Sequence, residues 1–263
     1  MKKLILLAIM ACLVQIVTAQ KKGILLAELS LKGPVEEAIV YEYRGGINNI
    51  NVDTTQKWFK TIMKFNIEGN ELEQRDYDDN GKLQSKFLFD YKEDGTIIKT
   101  QFVDGDKLFC TYVFKYDGKG YLIEFDSKSN GYGRMAAFED QMIYKYDGKG
   151  NMIEDIQNVI SNHTSLRDTF LYNEKSQKIE SDSYDPTGNL RDKEIYEYDS
   201  LGRVIKTEIY DNESKITGGN TMEYNSIDKY GNWIALTSEN RGNSQMQGNY
   251  LFKHFTRRVI KYY

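Results

Sequence analysis

The chain has 263 residues and a net charge of −4, with lysine and glutamate intermixed along its length, which excludes the clustered basic footprint of a nucleic-acid-binding protein. No segment beyond the N-terminus approaches the ~20 consecutive apolar residues of a membrane helix. Tyrosine is abundant (20) while proline (2) and histidine (2) are scarce, and mean hydropathy is −0.61, a balance that suits a sheet rather than a helical bundle.

Residues 1–19 have the layout of a secretory signal peptide: Lys2 and Lys3, an apolar run from Leu4 to Val14, and Val17 and Ala19 at −3 and −1 of a cleavage site. Cleavage there would leave Gln20 first in a mature chain of residues 20–263. Cys12 after Ile9-Met10-Ala11 offers a lipoprotein alternative, opposed by the apolar residues Leu13, Val14, Ile16 and Val17 beyond it. The two leader lysines leave the remainder at −6. Cys110 is then the one remaining cysteine, so no intramolecular disulfide is expected, and it reads as a small buried hydrophobe beside Phe109 and Tyr112.

From Phe65 onward a Tyr-x-x-x-Gly segment recurs. Clear copies are Tyr91 to Gly95, Tyr116 to Gly120, Tyr146 to Gly150 and Tyr198 to Gly202; degenerate ones are Phe65 to Gly69, Tyr172 to Ser176 and Ile227 to Gly231. The glycine positions are spaced by 26, 25, 30, 26, 26 and 29 residues. An aliphatic residue always follows three positions later: Leu72, Ile98, Ile123, Ile153, Ile179, Ile205 and Ile234. Two residues before the tyrosine position stand Met63, Phe89, Phe114, Tyr144, Phe170 and Tyr196, with Asn225 breaking the pattern in the last copy. Aromatics two apart share a strand face, Asp opens a turn, and Gly supplies its positive φ. Similar turns lie between, at Tyr77 to Gly81, Val103 to Gly105 and Tyr184 to Gly188. Each unit is two strands and two turns, and about seven units form a single array.

In Leu190–Tyr198, Asp192 and Glu194 share a face with Leu190, Tyr196 and Tyr198, and the other face carries Arg191, Lys193, Ile195 and Glu197. Neither face is dry enough for a sandwich. The expected fold is therefore all-β, with tandem antiparallel hairpins in an extended, twisted or curled meander sheet. The ladder residues Ile123, Ile153, Ile179 and Ile205 should stack on one face, with the aromatic pairs in a parallel ladder.

Tyr146-Asp147-Gly148-Lys149-Gly150-Asn151 and Tyr198-Asp199-Ser200-Leu201-Gly202-Arg203 resemble the YD repeats of the bacterial Rhs and YD-repeat superfamily. The opening Leu31-Lys32-Gly33-Pro34-Val35 with Tyr41-Glu42-Tyr43 resembles small secreted members, as do Asp228 to Trp233 and the closing Arg257 to Tyr263. The resemblance implies a hairpin array in the periplasm, at the cell surface or outside the cell. Large relatives use such repeats as a toxin shell or adhesive module, and neither role transfers to this array.

Chemistry is sparse. His163 and His254 stand in unrelated contexts, and the turns at Asp78-Asp79-Asn80 and Asp104-Gly105-Asp106 lack the ligand alternation of a calcium loop. No catalytic, metal or cofactor residues are assigned. Trp58, Tyr132, Trp233 and Tyr250 are candidate stacking platforms for a sugar or peptide, against the alternative that they serve packing. Segments 128–134 and 240–247, rich in Gly, Ser and Asn, read as loops. The main expectation is a non-enzymatic exported binding or scaffold protein of the envelope, engaging glycan or protein through an open face or edge. The alternatives are a secreted enzyme acting on glycan through an unrecognised acidic site, and a membrane β-barrel. Arg191, Asp192, Lys193 and Glu194 count against the barrel, because they place charge on both strand faces.

Overall fold

The computed structural model describes residues 31–45, 52, 54, 57–93, 96–103, 107–133, 136–160, 163–244 and 248–263. The expected leader with Cys12, and Gly95 and residues 104–106 of the expected turns, lie outside them. Sixteen strands follow in order: β1 (Val35–Arg44), β2 (Phe59–Phe65), β3 (Glu71–Tyr77), β4 (Leu83–Tyr91), β5 (Ile97–Val103), β6 (Lys107–Tyr116), β7 (Leu122–Ser129) and β8 (Phe138–Tyr146). They continue with β9 (Met152–Val159), β10 (Thr164–Tyr172), β11 (Lys178–Tyr184), β12 (Leu190–Tyr198), β13 (Val204–Asp211), β14 (Ile216–Ile227), β15 (Trp233–Ser244) and β16 (Gly248–Tyr262). Each pairs antiparallel with its neighbours in the chain, and β16 pairs with β1, so the meander closes into a barrel. Seven hairpins supply β2 to β15. The expected extended, twisted or curled meander sheet is closed by the two strands outside the repeats, which meet and leave no free edge.

The turns follow from the repeat residues. In Asp147–Asn151, the Asp147 amide donates to the Asn151 carbonyl and the Gly150 amide to the Asp147 carbonyl. Asp147 Oδ1 accepts the amides of Lys149 and Asn151, each at 2.8 Å. Gly150 has φ 88°, a conformation open to glycine at little cost. The same Asp bonding recurs at Asp117, Asp199 and Asp228 on this rim and at Asp78, Asp185 and Asp211 on the other. Ser176 and Ser214 hold the glycine position in two turns, at φ 58° and 63°.

The invariant aliphatic residue has a specific cause. Lys115 pairs with Glu124 and Tyr116 with Leu122, so Ile123 is an extra residue in a β-bulge. Ile153, Ile179, Ile205, Leu72 and Ile234 are the extra residues in five other copies, while the Tyr91 hairpin runs without a shift. The ladder occupies one structural position, as expected, but it stands on the outer wall: Ile123 is 40% exposed and Ile153 39%. The buried layer is instead the residue before it, Leu122 or Met152, together with Phe170 and Tyr196.

The repeat tyrosine fastens one hairpin to the one before. Tyr91 Oη donates to the Glu71 carbonyl at 2.8 Å, Tyr146 to Leu122 at 2.8 Å and Tyr198 to Lys178 at 2.7 Å. Each acceptor lies two residues past the preceding turn's glycine position. Tyr224 does the same to Val204 at 3.0 Å.

At the seam, β1 and β16 pair from Val35↔Tyr262 to Arg44↔His254. Beneath it lies the apolar cluster of Leu31, Val35, Ala38, Met63 and Phe65, packed against Val40, Ile260 and Tyr262. Asn232, 1% exposed, accepts the Lys32 amide at 2.6 Å and donates to the Lys32 carbonyl and Tyr262 Oη. The Tyr263 amide donates to the Pro34 carbonyl at 3.0 Å.

Two opposite substitutions test the turns. Ser176→Gly should raise stability by about 1 kcal/mol by removing the cost of an L residue at positive φ. Gly150→Val should lower it by about 1–3 kcal/mol, because its φ is positive and an added Cβ would meet the Tyr121 hydroxyl. Urea unfolding of both variants measures the pair, and equal midpoints would remove the turn assignment.

Candidate functional site

Strand alternation gives the wall two chemistries. The outward face carries cross-strand ion pairs: Lys115 with Glu124 and Asp126, and Lys145 with Glu154, near the turn rim, Lys206 with Glu197 at 2.7 Å near the same rim, and Lys193 with Glu180 at 2.7 Å at mid-strand. Arg167 lies over the Tyr184 ring on the same face, at 4.3 Å. The inward face carries the aromatic rows Phe114, Tyr144, Phe170 and Tyr196, and Lys178 lies over both Phe170 (5.1 Å) and Tyr196 (4.5 Å).

Asp155 on β9 and Asp168 on β10 are direct cross-strand partners on this inward face. Asp155 is 3% exposed, and its Oδ2 has no hydrogen-bond partner. Like charges placed opposite each other oppose sheet pairing. Sequence reading missed this pair, since acidic residues occur throughout; inward alternation from the turn glycine is the signal that finds it.

The four candidate aromatics separate into three places. Trp58 and Tyr250 lie toward the same end of the β1–β16 seam without a direct contact between them. Arg44 Cζ lies 5.1 Å from the Trp58 ring and 4.5 Å from Phe252, and Tyr250 lies beyond Phe252, at 5.5 Å from it. Tyr132 stands apart, under the Lys107 ammonium at 5.4 Å. Trp233 lies toward the other rim, where Arg258 stacks on it at 3.4 Å and Tyr224 meets it edge-on at 6.5 Å. Arg203 lies over Tyr224 at 4.4 Å and is ion-paired to Asp199 at 2.6 Å. His163 precedes β10 and His254 is on β16, so the histidines do not converge. Cys110 is buried, 1% exposed.

Two of the turn carboxylates, Asp185 and Asp147, are held ionised below the ordinary range. The Thr187 hydroxyl, with the Asn189 amide and side chain, pushes Asp185 down to about 2, and the Asn151 side chain lowers Asp147. A carboxyl depressed in the folded state contributes stability above its unfolded value of about 4, which is lost as pH falls through the folded value.

No protein-family model matches the chain, and no curated protein matches it. Among solved structures, the chain is similar to a porin-like protein from Bacteroides uniformis. The TM-score is 0.55 and the identity 10%, over 87% of this chain and 97% of that one. A domain from Vibrio parahaemolyticus, described as an outer membrane lipoprotein-sorting protein, aligns at a TM-score of 0.26 and 11% identity over 86% of each chain, a score from which no common fold follows. The likeness to the porin-like protein is one of fold. With the closed wall, it overturns the expected exported binding or scaffold protein, whose open face or edge for glycan or protein is absent once β1 meets β16.

Asp185→Asn should keep its turn at neutral pH, because Asn173 already performs the same bonding to the Lys175 and Gln177 amides. It should also remove part of the stability loss between about pH 4 and pH 2. Melting temperature against pH for both proteins tests this, and superimposable curves would contradict it.

Proposed function

We propose that this chain is a porin-like β-barrel of the bacterial cell envelope. The observation that supports the reading most is the closed circuit of sixteen antiparallel strands, taken with the likeness of fold to a porin-like protein. Barrels of about sixteen strands can enclose an aqueous channel, and all their backbone groups pair within the wall. Export through the leader at residues 1–19, and descent of the hairpins from YD-type repeats, belong to the same proposal. It assigns no catalytic step, cofactor or macromolecular partner.

The ion-paired outer wall favours a second reading, in which the same barrel stands in water outside the bilayer. A lysine or arginine facing lipid at the midplane of a barrel costs about 2–4 kcal/mol, and Lys193 on β12 and Arg167 on β10 occupy mid-strand outward positions.

Refolding from urea separates the two. A lipid-embedded porin-like barrel should regain its sheet and heat-modifiable gel migration in phospholipid vesicles, and precipitate in buffer alone. A chain that refolds as a detergent-free monomer and ignores vesicles would replace the first reading with the second. An open, self-associating sheet in both media would overturn both.

A further inference from the structure

Register on the inner wall brings carboxylates into one row. Tyr144, Asp155, Asp168, Ser183 and Asp192 follow one another as direct cross-strand partners on β8, β9, β10, β11 and β12. Glu194, two residues along β12 from Asp192, shares their face and is the partner of Ser181. Between β10 and β12 the inward side chains are therefore the small Ser181 and Ser183, with carboxylates on either side.

Charge in this stretch does not balance. Arg191 neutralises Asp192, its Nε lying 2.7 Å from the carboxylate. Lys178 then sets one positive charge against three negative ones, on Asp155, Asp168 and Glu194. Glu194 accepts the Tyr196 hydroxyl at 2.5 Å, and Asp168 accepts that of Ser183. Asp155 is 3% exposed, faces Asp168 across the strand pair, and has no hydrogen-bond partner for Oδ2. A buried carboxylate opposite a second one is costly, and a cation between the two relieves both burial and repulsion. Lys178 shows which cation the wall accommodates, because its ammonium lies over the Phe170 and Tyr196 rings. A metal ion is matched less well: among the described residues, no three His, Cys, Asp or Glu side chains converge as ligands.

We propose that the inner wall of β9 to β12 binds a short aliphatic diamine. One ammonium sits between Asp155 and Asp168, the chain crosses Ser181 and Ser183, and the second ammonium meets Glu194. Its two charges supply the balance that Lys178 leaves open. The inference needs only the inward face of the wall and is independent of whether the barrel sits in lipid or in water.

Calorimetric titration of the folded chain with 1,4-diaminobutane at about pH 8, where free carboxyls are ionised, tests it. Binding should saturate at one diamine per chain, with 1-aminobutane and magnesium at least about ten-fold weaker. Asp155→Asn and Asp168→Asn should each weaken the diamine about ten-fold or more. Asp140→Asn removes an inward carboxylate outside this row and should leave affinity unchanged. If neither row variant folds, Ser183→Lys keeps both carboxylates, sets a tethered ammonium beside Asp168 and should abolish binding. The assignment would be overturned by an absence of saturable binding or by equal affinity for 1-aminobutane or magnesium. Undiminished binding in the row variants or in Ser183→Lys, or an equal loss in Asp140→Asn, would overturn it too.

Discussion

The structure depends on the pairing of β1 with β16. A meander of fourteen hairpin strands exposes a row of unpaired amides and carbonyls at each end, and such edges recruit other chains. Here the two flanking strands satisfy each other from Val35↔Tyr262 to Arg44↔His254. Closure turns a one-dimensional array into a ring, in which every strand has two neighbours and one face is enclosed. The apolar cluster of the molecule lies under this seam, and the buried Asn232 ties the segment before β1 to the β14–β15 turn and to β16.

Closure also explains a composition that fits neither a sandwich nor an open sheet. Enclosed side chains need not be uniformly apolar if their polar ends find partners, and tyrosine meets both demands. Its ring covers the inner wall, and in four hairpins its hydroxyl caps a carbonyl freed near the neighbouring bulge. The outer wall is laced by Lys–Glu pairs worth individually ~0.2–1 kcal/mol, so their value is solvation of the wall more than stability. A ring of bulge aliphatics below them is the outer wall's recurrent apolar element.

Much of this was legible in the residues. The Asp and Gly of each turn carry local chemistry, so the hairpins, their spacing and the strand faces follow from sequence. Closure does not, because it joins segments some 200 residues apart that lie outside the repeat. The fixed aliphatic offset was read as a ladder position, but periodicity alone does not distinguish an inward residue from a bulged one turned outward. Among the aromatics, Trp58 was found without Arg44, which lies over its ring and that of Phe252. Trp233 stood as a candidate platform against a packing role, and Arg258 lies over its ring. The Asp155–Asp168 pair went unseen because its meaning depends on register between strands, which no single segment contains.

A cysteine pair across the seam tests closure most directly. In a Cys110→Ser background, Ile39→Cys and Val259→Cys place thiols at paired positions of β1 and β16, where antiparallel Cα separations of about 4.5–5.5 Å suit a disulfide. Mild oxidation of the monomer should form the intramolecular bond, found by mass spectrometry as one cross-linked peptide. Thiols that stay free, or that link only between molecules, would show that the strands do not meet and that the sheet is open.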